Sequence, residues 1–133
     1  MGSKKSSIYH LNWQTTTPVP FNVNTPPTGT LLGVMASTNT IYTNIQNVLN
    51  VDNHLLELTY TGTATGTISV FGSVSGINFY ALTFDPLLSQ PAGSSGGYLI
   101  DLTQYAGPFL YIGYTNASGS GTLDAWICSK DIN

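Results

Sequence analysis

Apolar and polar positions alternate along most of this chain. In GTISVFGSV (Gly66–Val74), Ile68, Val70 and Val74 share one face, with Thr67, Ser69 and Ser73 opposite. In HLLELTY, Leu56, Leu58 and Tyr60 alternate with Leu55, Glu57 and Thr59. In YLIDL, Tyr98, Ile100 and Leu102 alternate with Leu99 and Asp101. In FLYIGYT, Leu110, Ile112 and Tyr114 alternate with Phe109 and Tyr111. In GTLDAWICS, Leu123, Ala125 and Ile127 alternate with Asp124, Trp126 and Cys128. A period of two is that of a strand laid on a core by one face. The pattern predicts an all-β fold, an antiparallel β-sandwich of jelly-roll-like character. The predicted core is Ile68, Val70, Leu110, Ile112, Leu123, Ala125 and Ile127.

The segments between these runs carry turn chemistry. Val74–Ile77 (VSGI) reads as a tight hairpin, with Gly76 available for positive φ. Thr115–Thr122 (TNASGSGT) reads as a longer hairpin loop. Asp85–Gly97, rich in Pro and Gly, reads as a connection crossing to the other sheet, as Greek keys require. A single helical turn is expected near Asp101–Gly107, capped by Asp101 or Thr103. Gln14–Thr30 holds four of the seven prolines, and proline removes ladder donors. The expected division is an extended Pro-rich N-terminal arm over residues 1–30 and a sandwich over 31–133. Within the first part, Ile8–Gln14 alternates Tyr9, Leu11 and Trp13, as a strand would that completes a sheet of its own or another subunit.

Composition narrows the function. Only 7% of residues are charged, against roughly 25% in an average soluble domain. Polarity comes from hydroxyls and amides, which suits a surface packed against neighbours better than one left in water. The net charge of −3 and a single basic pair, Lys4-Lys5, exclude a phosphate-binding footprint, so no nucleic acid is expected. No apolar run approaches the ~18–20 residues of a membrane span, and MGSKKSSIYH lacks the apolar core of a signal peptide. The expectation is no membrane contact.

Candidate chemistry is sparse. His10 and His54 lack ligand-spaced partners, so no zinc site is expected. No G-x-S-x-G elbow supports a nucleophilic serine. The six acids are scattered, and Asp101 and Asp124 fall in outward registers. Asn50–His54 is rich in oxygen donors but reads as an Asx turn before a strand. Cys128 is the single cysteine, so no internal disulfide exists. The sequon Asn116-Ala117-Ser118 marks a surface loop. The reading is a non-enzyme with no cofactor and no metal. Aromatics carry the remaining signal. Trp126, Tyr111 and Phe109 occupy the register opposite the predicted core, which means either an outward binding surface or a hairpin buried on both faces. With Tyr9, Trp13 and Phe21 of the N-terminal segment, they are the candidate interface residues.

The stretch from Tyr60 to Lys130 resembles small β-rich virion proteins of tailed bacteriophages. The residues carrying the resemblance are Gly62, Gly66-Thr67, Gly72-Ser73, Gly76, Asn78-Phe79, Asp101, Tyr111, Tyr114-Thr115, Ser118 to Leu123 and Lys130. The N-terminal third lies outside the match. The resemblance implies a structural part of the virion: a capsid decoration or cement protein, a head fibre or a tail component. It implies other virion proteins as partners and brings no catalytic residues with it. The expected function is therefore a non-enzymatic auxiliary capsid protein, homo-oligomeric and located in the virion. The alternative is a carbohydrate-binding sandwich, or a fibre or tail component for host-surface adhesion. A flat exposed aromatic platform would favour that alternative.

Overall fold

The computed structural model describes residues 6–18, 29–36, 39–48, 53–82, 96–102 and 107–130. These residues form strands, turns and bends, with no helix among them. The strands are β1 (Ser6–His10), β2 (Trp13–Gln14), β3 (Leu32–Met35), β4 (Thr40–Thr43), β5 (Gln46–Asn47), β6 (Asn53–Gly62), β7 (Thr65–Ser73), β8 (Tyr80–Ala81), β9 (Gly96–Asp101), β10 (Phe109–Ser118) and β11 (Gly121–Lys130). They make two antiparallel sheets. The first has the order β1-β11-β6-β9, with β3 also on β11. The second has the order β2-β4-β10-β7-β8, with β5 also on β10. The molecule is a β-sandwich, as the alternation predicts.

The core is the inward register of both sheets. Leu56 and Leu58 of β6, Val70 of β7, Leu110, Ile112 and Tyr114 of β10, and Leu123 and Ala125 of β11 are wholly buried. Ile68, Ile100, Leu102 and Ile127 join them. The seven residues predicted as core therefore all lie inside. Val74, predicted to share their face, does not: it is 81% exposed, one residue past the end of β7.

The long strands change sheets through tight turns. β6 and β7 are separated by Thr63 and Ala64 yet belong to different sheets, and β10 and β11 are separated by Gly119 and Ser120 and do the same. The two turns interlock. Thr63 N–H donates to Ser120 O at 2.8 Å. Gly62 (φ +94°) and Gly119 (φ +74°) both need positive φ, and a Cβ on Gly62 would lie 2.4 Å from Ser120 O, one on Gly119 2.3 Å from Thr63 O. No other residue type meets both demands.

Two turns differ from expectation in opposite directions. The longer loop predicted over Thr115–Thr122 is a two-residue turn, because β10 runs on to Ser118. A register shift at Asn116–Ser118 absorbs the extra residue, and Thr65 and Ser118 hydroxyls hydrogen-bond at 2.6 Å, extending the ladder. The tight hairpin predicted at Val74–Ile77 is a wider loop returning to a two-residue strand. Ser73 Oγ accepts Gly76 N–H (2.9 Å), and Ser75 Oγ accepts Ile77 N–H (3.1 Å) and Asn78 N–H (3.3 Å). These local bonds satisfy the backbone in place of a ladder.

The predicted boundary at residue 30 is corrected. β1 pairs with β11 over its whole length, from Ser6↔Lys130 to His10↔Trp126. Leu11 N–H then donates to Ala125 O at 2.9 Å, the chain crosses, and Trp13 pairs with Thr43 in the second sheet. Trp13 and Thr30 exchange both backbone bonds. Residues 6–14 are thus integral to the sandwich: they contain no proline, and they alternate. Pro20, Pro26 and Pro27, the expected loop around Asp85, and the turn expected at Thr103 lie outside the described residues.

Candidate interaction surface

The outer face of the first sheet is set by register. His10 sits opposite Trp126 on β11, which sits opposite Glu57 on β6, which sits opposite Leu99 on β9. One pair along, Ile8, Cys128, Leu55 and Asp101 form the next row. Toward the other end, Leu32 and Thr59 flank Asp124 on its two sides, and Val34 and Thr61 flank Thr122. Directly opposed residues project to the same side, so all of these share one face. Ile8 (68% exposed), Leu99 (67%) and Val34 (61%) are its most open side chains, with Leu32, Leu55 and Trp126 also exposed. Single exposed apolar residues are unremarkable, but six on one sheet face are a concentration that a solvated face does not need.

Seven polar side chains in these rows, three of them the acids Glu57, Asp101 and Asp124, share this face with the apolar ones, and four of the seven pair with each other. Thr61 and Thr122 hydroxyls bond at 2.6 Å. His10 Nε2 donates to the Asp124 carboxylate, reaching it diagonally across the strands. The His10 ring also stacks on Trp126, with centroids 4.0 Å apart and planes within 4°. Strands lie about 4.7–4.9 Å apart. Parallel rings on neighbouring strands at nearly that spacing stand upright from the sheet. Trp126 therefore presents its ring edge outward, with one ring face taken by His10.

The outer face of the second sheet uses its aromatics internally. Tyr111 stacks on Phe71 (4.8 Å, 18°), meets Tyr42 edge-on (6.1 Å) and leans against Phe79 (5.0 Å). Gly113, on the same face between Tyr42 and Ser69, makes room for this group. A Cβ there would come 3.0 Å from Phe71 Cε2. Burial, with Tyr42 beside it, raises the Tyr111 phenol pKa. Beside this cluster lies a cleft of about 320 Å³ lined by Thr17, Pro18, Ile77, Asn78, Phe79 and Tyr80, with Tyr111 as floor.

The interior polar groups are structural. His54 Nδ1 and Ser129 Oγ hydrogen-bond at 2.9 Å, and both side chains are buried. Ile112 N–H donates to Thr43 Oγ1 at 2.8 Å. Asn116, expected on a surface loop as a sequon, is buried instead. Its Oδ1 accepts from Tyr114 Oη at 2.9 Å and its Nδ2 donates to Gly119 O at 3.1 Å. Glycosylation at Nδ2 would have to break the turn. Among the described residues no three His, Cys, Asp or Glu side chains gather as metal ligands.

The structure separates the six candidate interface residues. Tyr9 is exposed at the sheet edge and Trp126 is exposed on the outer face. Phe109 is half-buried at the start of β10. Trp13, 2% exposed, is an interior side chain, and Tyr111, 7% exposed, keeps its outward register but is covered on the outer face of the second sheet. Trp13 is enclosed because the chain crosses between sheets there, and Tyr111 because Phe71, Phe79 and Tyr42 close over it. Phe21 lies outside the described residues. The surface that sequence reasoning missed is aliphatic: Ile8, Leu32, Val34, Leu55 and Leu99. Its signal was the leucines in the outward register of HLLELTY and YLIDL, where a solvated face would carry polar residues.

No protein-family model and no curated protein matches the chain. Among solved structures, it is similar to the K1 cleaved adhesin domain of Lys-gingipain from Porphyromonas gingivalis, at 12% identity over 99% of each chain with a TM-score of 0.40. A likeness that loose carries neither fold nor function.

Proposed function

We propose that the chain is a non-catalytic structural protein of a phage particle, an auxiliary capsid (decoration or cement) protein that docks on its neighbours through the outer face of the first sheet. One observation carries the reading: five aliphatic side chains, Ile8, Leu32, Val34, Leu55 and Leu99, stand exposed on one sheet face, beside a Trp126 that presents its edge. An aliphatic sheet face fits a protein surface, where apolar area is removed from water at roughly 25 cal/mol per Å². Sugars need ring faces to lie on, and Trp126 offers its edge. The resemblance of Tyr60–Lys130 to small phage virion proteins supplies the setting.

The test is binding to capsids of the encoding phage that lack this protein. Leu32→Ser/Val34→Ser changes two exposed side chains on the face, so the variant keeps its circular dichroism and melting temperature. It is expected to bind capsids at least tenfold more weakly. Unchanged binding removes this face from the function. Tighter binding of oligosaccharides than of capsids, read from Trp126 fluorescence, moves the protein to the adhesion class.

A further inference from the structure

We infer that the cleft beside Tyr111 on the second sheet is a glycan site. It takes one pyranose ring of a neutral saccharide chain among Phe79, Tyr80 and Tyr111, and the Asn78 amide reads the ring hydroxyls. This site is separate from capsid docking, whose face belongs to the first sheet.

The lining fixes the chemistry of the occupant. The cleft holds about 320 Å³, at the low end of the ~300–1,000 Å³ range of ligand pockets, which suits a single ring. None of its lining residues is charged, so an ionised ligand would lose hydration without gaining a counter-charge. Phe79, Tyr80 and Tyr111 are aromatic, which favours a ligand with an apolar face. Polar groups stand beside the rings: Thr17 brings a hydroxyl, Tyr80 a phenol and Asn78 a carboxamide, and each can both donate and accept. Asn78 donates its backbone N–H to Ser75 Oγ at 3.3 Å, and its side chain makes no hydrogen bond among the described residues. A purely apolar ligand would strip water from these groups and leave them unpaired. A pyranose meets all three conditions. It is uncharged, its C–H face is apolar, and its hydroxyls donate and accept around the rim.

Asn78, Phe79 and Tyr80 are set in place before any ligand arrives. Ser73 Oγ holds the Gly76 N–H, and Ser75 Oγ holds those of Ile77 and Asn78. Gly76 turns the loop at φ +79°, and Tyr80 then pairs with Gly72 of β7. Phe79 leans on Tyr111, which is backed by Phe71. A site ordered in advance loses less entropy on binding. It is also open to solvent: Asn78 is exposed, and Tyr80 is 72% exposed. Asn78 and Tyr80 line a second cleft as well, of about 630 Å³, which reaches Val74 and Ala81. A ring seated in the first cleft therefore has room beside it for the next unit, so a chain fits better than a free sugar.

The experiment titrates the full chain with maltose, lactose, cellobiose and chitobiose at millimolar concentration and follows backbone amides by NMR. At least one of the four is expected to shift the amides of Asn78, Phe79 and Tyr80 and to leave those of Leu32 and Val34 in place. Asn78→Ala and Tyr80→Ala change exposed side chains, so both variants keep their circular dichroism. Each should weaken saccharide binding at least tenfold. Adenosine and glucuronate, a flat base and an anion, should shift the same amides less. No shift with any of the four disaccharides overturns the site. So does tighter binding of adenosine or glucuronate, or binding that survives both substitutions. Asn78→Ala should bind capsids as the unaltered chain does, and Leu32→Ser/Val34→Ser should keep its saccharide binding, so the docking face and the glycan site fail separately.

Discussion

Asn116 shows how much a single side chain carries in a fold with so little charge. It sits wholly enclosed between the Tyr114 hydroxyl and the Gly119 carbonyl, and so ties the end of β10 to the turn that starts β11. A buried hydroxyl or carbonyl left without its partner costs about 1–3 kcal/mol. Asn116→Ala should therefore lower unfolding free energy by about that amount, measured by urea denaturation. Adding Tyr114→Phe to Asn116→Ala removes the orphaned hydroxyl and should recover part of the loss. A neutral Asn116→Ala would mean the turn is held by its glycines alone.

At the level of elements, β1 and β3 share one side of β11. β1 covers Trp126–Lys130 and β3 covers Gly121–Asp124. The His10–Trp126 stack and the His10–Asp124 bond clamp β1 at the point where the chain leaves for the second sheet. Leu11 and Trp13 follow directly and fill the core. Burying side chains of that size is worth about 1.5–3 kcal/mol each, and a small domain holds only about 5–15 kcal/mol in all. Deleting residues 1–14 removes both, together with the ladder along β11. The truncated chain is expected to lose its β-sheet circular dichroism. A truncation that stays folded would return this segment to the status of an arm.

Across the whole molecule, stability at high pH rests on phenols. Burial raises the pKa of Tyr111, with Tyr42 adding to it, and burial alone raises that of Tyr114. Raised values mean that the folded state holds these protons longer than the unfolded chain does. Their contribution is complete below the ordinary tyrosine pKa of about 10 and drains away as pH rises through the folded values. Melting temperature should fall as pH climbs above about 10. Spectral titration should show a late-ionising step at unfolding that Tyr111→Phe and Tyr114→Phe each diminish. A late step unchanged in both variants, with no change in melting temperature, would contradict their burial.

The sequence by itself determined which side of each long strand meets the core. Period-two alternation is a local property of the backbone, and burial of one face leaves no other register for Leu56, Leu58, Ile68, Val70, Leu110, Ile112, Leu123 and Ile127. The chain also declared its class through Gly-rich turns and the lack of helical spacing. What alternation cannot state is what lies on the far side of a strand. Tyr111 and Trp126 occupy the same outward register on strands consecutive in the chain, yet one is sealed by Phe71 and Phe79 and the other stands exposed against His10. Those partners are distant in sequence or sit on another sheet edge, so only tertiary packing distinguishes the two. The same holds for Ile8–Gln14. Its alternation is visible, but its assignment to β11 and β4 depends on long-range pairing, whose free energy comes from contacts more than a hundred residues apart, as between His10 and Trp126. The outer face was likewise hinted at by Leu55 and Leu99, and gained Leu32 and Val34 only when β3, β11, β6 and β9 were set side by side.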